Sequence, residues 1–241
     1  MIDIITRVRY PELYLRMKES AQATASGPIR FLAAFDDGQP KIAESYNLLA
    51  ATSSADVLLF VHDDVIFLSK GWDEKIMDAV SLGFNLIGAV GSQEYRGGMV
   101  FDAGRKYAAG KCVGNVDGKR VVKLMQNRSE VELVKVVDGM FMAVEAGHFK
   151  RTGFDWAFDG LFYYDLDLCL RSKCAVVDIL VAHEKPPHIW GKYPEGMKPI
   201  EHYAPIFNAK HGFKSDPPIG DQSCRSIPYE DYAQEKEEVA P

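Results

Sequence analysis

Val57-Leu58-Leu59-Phe60-Val61-His62-Asp63-Asp64 is the stretch on which the fold turns. Five apolar residues in succession mark a strand covered on both faces, the pattern of a sheet packed between helices. Three polar residues then arrive together, where such a strand would end. Before this stretch, Ile2–Val8 reads as a first strand and residues 11–25 as a helix opened by Pro11. Ile29–Phe35 reads as a second strand, interrupted only by Arg30 and ending at Asp36-Asp37-Gly38. Residues 41–52 place Ile42, Tyr46 and Leu49 at i, i+4 and i+7, a helical spacing. After it, residues 72–82 read as a helix and 85–90 as a strand. This alternation predicts an α/β fold with a mostly parallel central sheet flanked by helices, because parallel strands need crossover connections.

From Gly91 the rhythm breaks. Seven glycines between Gly91 and Gly118 predict loops and a hairpin rather than a helix, with Asp117-Gly118 as a plausible turn. Residues 131–144 regain a strand signature, 145–152 read as a short helix stopped by Gly153, 164–173 as a helix and 175–182 as the last strong strand. Residues 1–213 are expected to form one domain. Residues 214–241, with Pro217-Pro218 and little apolar content beyond Glu230, are expected to be a poorly ordered tail or one ordered against a partner.

Composition bounds the function. The chain has 241 residues, 47% of them apolar and 26% charged, an ordinary balance for a globular protein. Its net charge of -6 argues against a nucleic-acid binder that gains affinity by neutralising phosphates, yet permits a small phosphate ligand paired with a cation. No apolar run is long enough for a membrane span, and the amino terminus lacks the pattern of a secretory signal, so a cytoplasmic location is the default expectation. Cys112, Cys169, Cys174 and Cys224 form no C-x-x-C pair and read as buried, reduced thiols.

Ligands of open parallel sheets bind at the carboxyl ends of the strands. Asp36-Asp37 and His62-Asp63-Asp64 both fall there. Either group can be a solvated turn. Clustered carboxylates repel one another unless a cation compensates, and a divalent Mn²⁺ or Mg²⁺ suits oxygen ligands while leaving positions for phosphates. Asp165 and Asp167 stand two apart, about 200° around a helix, so they cannot easily share one pocket. Asp167 has Arg171 four residues on, a spacing that suits a surface ion pair. Asp165, at the start of that helix, is the better candidate for a catalytic carboxylate, with capping as its plainer role. His183 follows an apolar strand and is either a structural hydrogen-bonder or a ligand. His188 and Trp190-Gly191 lie in a proline-flanked loop that could close over a ligand or pack on the core.

In order, several segments resemble the family 2 group of GT-A glycosyltransferases, especially the small branch related to a streptomycin-cluster protein. They are Tyr46-Asn47, Phe60-Val61-His62-Asp63-Asp64-Val65, Asp138-Gly139-Met140-Phe141-Met142-Ala143-Val144, Gly153-Phe154-Asp155, Phe158-Asp159-Gly160, Tyr164-Asp165-Leu166-Asp167-Leu168-Cys169-Leu170-Arg171, Val177-Asp178-Ile179 and His183. The resemblance implies transfer of a sugar from a nucleotide-diphosphate donor, UDP by default, to a saccharide or other hydroxyl acceptor. The D-x-D motif of that group falls on His62-Asp63-Asp64. Asp64 would then bind the metal, His183 would complete its site, and Asp165 would be the base of an inverting reaction. Thr6, Arg7, Asp36 or Asp37 would border the nucleoside, and Gly139 would lie where backbone and sugar approach. His62 replaces the first aspartate of D-x-D, with Asp63 placed to take over part of its role. A nucleotidyltransferase fits less well, since Thr6-Arg7-Val8-Arg9-Tyr10-Pro11 contains no glycine for a phosphate loop. A catalytically silent nucleotide- or carbohydrate-binding module is the reading from another class.

Overall fold

The computed structural model describes residues 1–36, 41–116, 119–125, 129–184, 200–214, 219–221, 223 and 225–233. Asp37, Asp117-Gly118, His188, Trp190-Gly191, Pro217-Pro218 and Cys224 lie outside the described residues. The first half builds strands β1 (Ile2–Val8), β2 (Ile29–Phe35), β3 (Val57–Val61), β4 (Val65–Phe67), β5 (Leu86–Gly88) and β6 (Val90–Ser92). Between them run helices α1 (Pro11–Thr24), α2 (Ile42–Ala51) and α3 (Trp72–Ser81). Then follow β7 (Ala108–Val116), β8 (Lys119–Leu124), β9 (Val131–Val134), β10 (Val136–Val137) and β11 (Phe141–Glu145). The remainder is α4 (Ala146–Thr152), α5 (Tyr164–Leu170), β12 (Cys174–Val177), β13 (Val181–His183), α6 (Ile200–His211) and β14 (Arg225–Pro228).

The central sheet has the order β2-β1-β3-β11-β5-β12-β9. Strands β2, β1, β3, β5 and β12 run one way, while β11 and β9 run against them. The mostly parallel α/β sheet expected from the sequence is present. Every residue of β3 is buried, as its unbroken apolar run requires. Arg30, the polar interruption in β2, sits opposite the fully buried Asp3 of β1 and pairs with it. One core packs α1 and α3 onto the sheet through Met17, Ala21, Trp72 and Ile76. A second, on the other face, gathers α2, α4, α5 and α6 around Tyr46, Phe60, Phe149, Phe154, Tyr164 and Phe207.

A second sheet, β10-β6-β7-β13-β4 with β8 and β14 attached, was not anticipated. Three expected strands divide to supply it. Residues 85–90 split at Ala89, so that β5 joins the central sheet and β6 the second. Residues 131–144 become β9, β10 and β11, and residues 175–182 become β12 and β13. The change of sheet needs a close approach, since a Cβ on Gly91 would lie 2.4 Å from the Val136 carbonyl oxygen. The segment beyond residue 213 also departs from expectation. Its β14 pairs antiparallel with β8, and Tyr229 and Tyr232 pack against Val113, Val122, Leu180 and Ala182, which supplies the apolar anchor that the tail's composition had concealed.

Candidate metal and catalytic site

Strand pairing brings the site together. Strand β3 ends at Val61, the chain turns through His62-Asp63-Asp64, and β4 starts at Val65. Strand β13 pairs antiparallel with β4 in a register that sets His183 opposite Val65, one residue beyond Asp64. The backbone N–H of Glu184 donates to the Asp64 carbonyl at 2.8 Å and fixes that register past the strand end. As a result Nε2 of His183 lies 3.1 Å from Oδ1 of Asp64, and the His62 and His183 rings stand 5.5 Å apart. One ligand atom from each of His62, Asp64 and His183 falls within 4.8 Å of the others, and all three residues are half-buried.

The orientation of His62 has its own support. Its Nε2 lies 3.0 Å from the Tyr164 hydroxyl, which in turn donates to the Gly139 carbonyl at 3.3 Å. A hydroxyl that donates to a carbonyl accepts from the imidazole. The Nε2–H of His62 therefore points at Tyr164, and the ring's lone pair is on Nδ1.

Asp165 approaches from the other wall. Strand β11 runs beside β3 with Phe141 opposite Val61, so the Asp138-Gly139-Met140 turn adjoins His62, whose N–H donates to the Met140 carbonyl at 3.1 Å. Gly139 N–H donates to Oδ2 of Asp165 at 3.0 Å, and Leu166 N–H to Oδ1 at 2.9 Å. Burial first, then the charge of Asp138, raise the Asp165 carboxyl to about 7 against those hydrogen bonds. Gly139 must lack a side chain, since a Cβ there would lie 2.6 Å from the Tyr164 hydroxyl and 2.8 Å from Oδ2 of Asp165. Helix α5 starts just after Tyr163, whose φ of 66° is left-handed, a conformation an L-tyrosine adopts only under constraint.

Asp165 and Asp167 do face different surroundings, as their spacing requires. The ion pair of Asp167 with Arg171 is not a surface one, however. Asp167 is fully buried, and it also meets Lys210 at 2.5 Å and His211 at 2.8 Å. Helix α6 covers it, an element that Pro205, inside it, hides from a reading of the sequence.

Thr6 is fully buried in β1. Arg7 and Asp36 form an ion pair of 2.6 Å across the carboxyl ends of β1 and β2. Asp63 turns away from the histidines. Its Oδ2 accepts from the N–H groups of Arg9 and Tyr10, both at 2.7 Å, where α1 begins. Burial outweighs those bonds and raises its carboxyl to about 6.

The sequence model of the glycosyltransferase-like family matches residues 32–209. The chain belongs to that family. Its architecture is the GT-A fold, and sugar transfer is its class of activity. No curated protein matches its sequence. Among solved structures, A197 from STIV is 10% identical, with a TM-score of 0.49 over 77% of this chain and 86% of that one. S. aureus TarS 1-349, solved in complex with UDP-GlcNAc, is 10% identical, with a TM-score of 0.47 over 80% of this chain and 61% of that one.

Two residues beside the His62 cluster escaped the sequence reading. Tyr164 was visible only as a neighbour of Asp165, and its link to His62 spans 102 positions. Glu184 follows His183 and pairs with Arg16 at 2.5 Å and Arg120 at 3.2 Å, joining α1 and β8 beside the cluster. No spacing among those three residues signals this. No described helix is long and apolar enough to cross a membrane.

Proposed function

We propose that this glycosyltransferase moves a sugar from a nucleotide-diphosphate donor to an acceptor hydroxyl with inversion, using a divalent ion held by Asp64, His183 and His62. The observation that carries this reading is the convergence of one carboxylate and two imidazoles within 4.8 Å on segments tied by strand pairing. Such a set fits a divalent cation, and its two nitrogen donors favour Mn²⁺ over Mg²⁺, which prefers oxygen. When bound, the ion supplies positive charge that stabilises the diphosphate leaving group.

The chain's own residues do the rest. Asp165 takes the proton of the acceptor hydroxyl, a role favoured by a carboxyl raised to about 7, close to the working pH. Gly139 and Leu166 hold its two oxygens through their N–H groups, which fixes the direction of proton transfer. Thr6 and the Arg7–Asp36 pair border the nucleoside at the strand ends. Asp63 serves as a clamp on the β1–α1 turn instead of a ribose ligand. UDP is the default nucleotide, a saccharide is the default acceptor, and the streptomycin-cluster branch is the finer placement within the family. Residues 1–213 form the catalytic domain in this reading, braced by β14.

The test is thermal unfolding with UDP-, GDP-, dTDP- and CMP-sugars, with and without Mn²⁺. One nucleotide sugar should stabilise the protein only with metal, by about 2.7 kcal/mol at a hundredfold excess over its Kd. Asp64→Ala should lose that response. If no nucleotide sugar stabilises the protein under either condition, the reading fails; stabilisation without sugar transfer to any acceptor would point to a binding module.

A further inference from the structure

A pocket opens where α4 ends and Arg171 caps α5. It is an open cavity of about 430 Å³, within the usual range of small-molecule sites, and its lining includes Lys150, Arg151, Asp155, Trp156, Arg171 and Lys210. Four cations thus face one carboxylate, on a chain whose net charge is -6. Two of them are engaged from behind. Arg171 donates to the Thr152 and Gly153 carbonyls and to buried Asp167, and Lys210 bridges Asp155 and Asp167. Lys150 and Arg151 are exposed at the rim, and the acid paired with Arg151 is Glu145 at 4.0 Å.

Trp156 is the other unusual feature. Its side chain is large and apolar, yet the residue is 57% exposed beside these charges. It is not on a loose loop. The Asp155 side chain accepts from Ala157 N–H at 2.8 Å, the next residue but one, Phe158, is fully buried, and the Asn47 amide clasps both backbone groups of Phe154 at 2.9 Å. An exposed indole beside cationic side chains matches a ligand with an apolar C–H face and a negative charge.

We propose that this cavity binds an anionic saccharide, the indole of Trp156 stacking on the sugar ring while Lys150 and Arg151 meet its carboxylate or phosphate. The site is separate from the His62 cluster, because the Phe154 and Tyr164 rings, 5.6 Å apart, stand between them. The proposal does not depend on the metal or the donor.

Calorimetric or saturation-transfer titration would use glucose 6-phosphate, glucuronic acid, glucose, inorganic phosphate and phosphatidylglycerol vesicles. At least one anionic sugar should bind saturably, and which one binds identifies phosphate or carboxylate as the recognised group. Glucose and inorganic phosphate should each bind at least about tenfold more weakly than it. Trp156→Ala should weaken binding by about 2- to 10-fold, and Lys150→Glu with Arg151→Glu by at least about tenfold. These positions are exposed, so the variants should melt like the parent, and Asp64→Ala should leave the affinity unchanged. The proposal is overturned if neither anionic sugar binds, if inorganic phosphate binds as tightly as glucose 6-phosphate, or if the Trp156 and charge variants bind normally. Binding to vesicles without binding to sugars would also overturn it, in favour of a membrane surface.

Discussion

Asp165→Asn should make the protein more stable while removing most of its activity. The carboxyl of Asp165 is raised from an ordinary 3.8 to about 7, chiefly by burial. The folded state therefore holds a proton that the unfolded chain releases above pH 4. A group with a raised folded pKa contributes its full stability below the unfolded value and loses it as pH rises through the folded one. For Asp165 that window runs from about pH 4 to about pH 7, and stability falls across it. The loss has an upper bound on the order of 4 kcal/mol. Asparagine never carries the charge and so escapes this loss. It does replace one carboxylate oxygen by an amide, so either Gly139 N–H or Leu166 N–H loses its acceptor, at a cost of about 1–3 kcal/mol. The balance leaves the variant more stable above pH 7 by roughly 1–3 kcal/mol, a rise of about 2–10 °C in Tm for a chain of this size. Melting curves of both proteins from pH 4.5 to 8 would measure it. The Tm difference should grow with pH, while turnover falls by about 10²- to 10⁴-fold. A Tm difference that stays flat across this range would refute the burial argument, and wild-type turnover in the variant would refute the base.

Tyr164→Phe keeps the ring in its aromatic cluster but removes the hydroxyl that orients His62. Mn²⁺ affinity, read by calorimetry, should drop by about 10- to 100-fold, and the buried Gly139 carbonyl left without its donor should cost about 1–3 kcal/mol of stability. Gly139→Ala places a methyl against both the Tyr164 hydroxyl and Asp165, and a displacement of that kind should lower kcat on the order of 10²-fold, measured with the donor at saturation. Asp167→Ala leaves Arg171, Lys210 and His211 around an empty position in the core. It should cost about 3–5 kcal/mol by denaturant unfolding, because removing one partner of a buried ionic group leaves the others uncompensated. Wild acid sensitivity provides the last test, for kcat/KM should fall with decreasing pH through about 7 as Asp165 gains its proton, and a rate that stays flat to pH 5 would remove it from the chemistry.

The sequence carried some of this well because of how the first half is buried. Strands β1, β2 and β3 end on the residues that the apolar pattern marks, since each is bounded by polar turns. The later strands lost their boundaries because a chain that moves between two buried sheets crosses no water. Ala89 is fully buried, so nothing polar marks where β5 ends and β6 begins. His183 shows the same limit. Its place at a strand end was legible, but the strand is β13 of the second sheet, and only the β4 pairing explains why it meets Asp64. Asp63 and Asp64 show a related limit. Adjacent carboxylates look equivalent in a sequence, yet a tight turn sends neighbouring side chains to different places. Here one reaches the amides of Arg9 and Tyr10, and the other reaches His183.

The exchange of an aspartate for His62 makes physical sense once Tyr164 is considered with it. Two carboxylates would cancel the charge of a divalent ion, whereas one carboxylate and two neutral imidazoles leave a net positive charge to act on a diphosphate. Neutrality at His62 then needs a fixed tautomer, and the Tyr164 hydroxyl supplies it from the first turn of the helix that also presents Asp165. Both walls of the site therefore meet at Gly139. Its carbonyl accepts from Tyr164 on the side of His62, and its N–H holds Asp165 on the other. A shift of that single peptide would move His62, the proposed metal ligand, and Asp165, the proposed base, together, so the Asp138-Gly139-Met140 turn, more than any one side chain, sets their relative position.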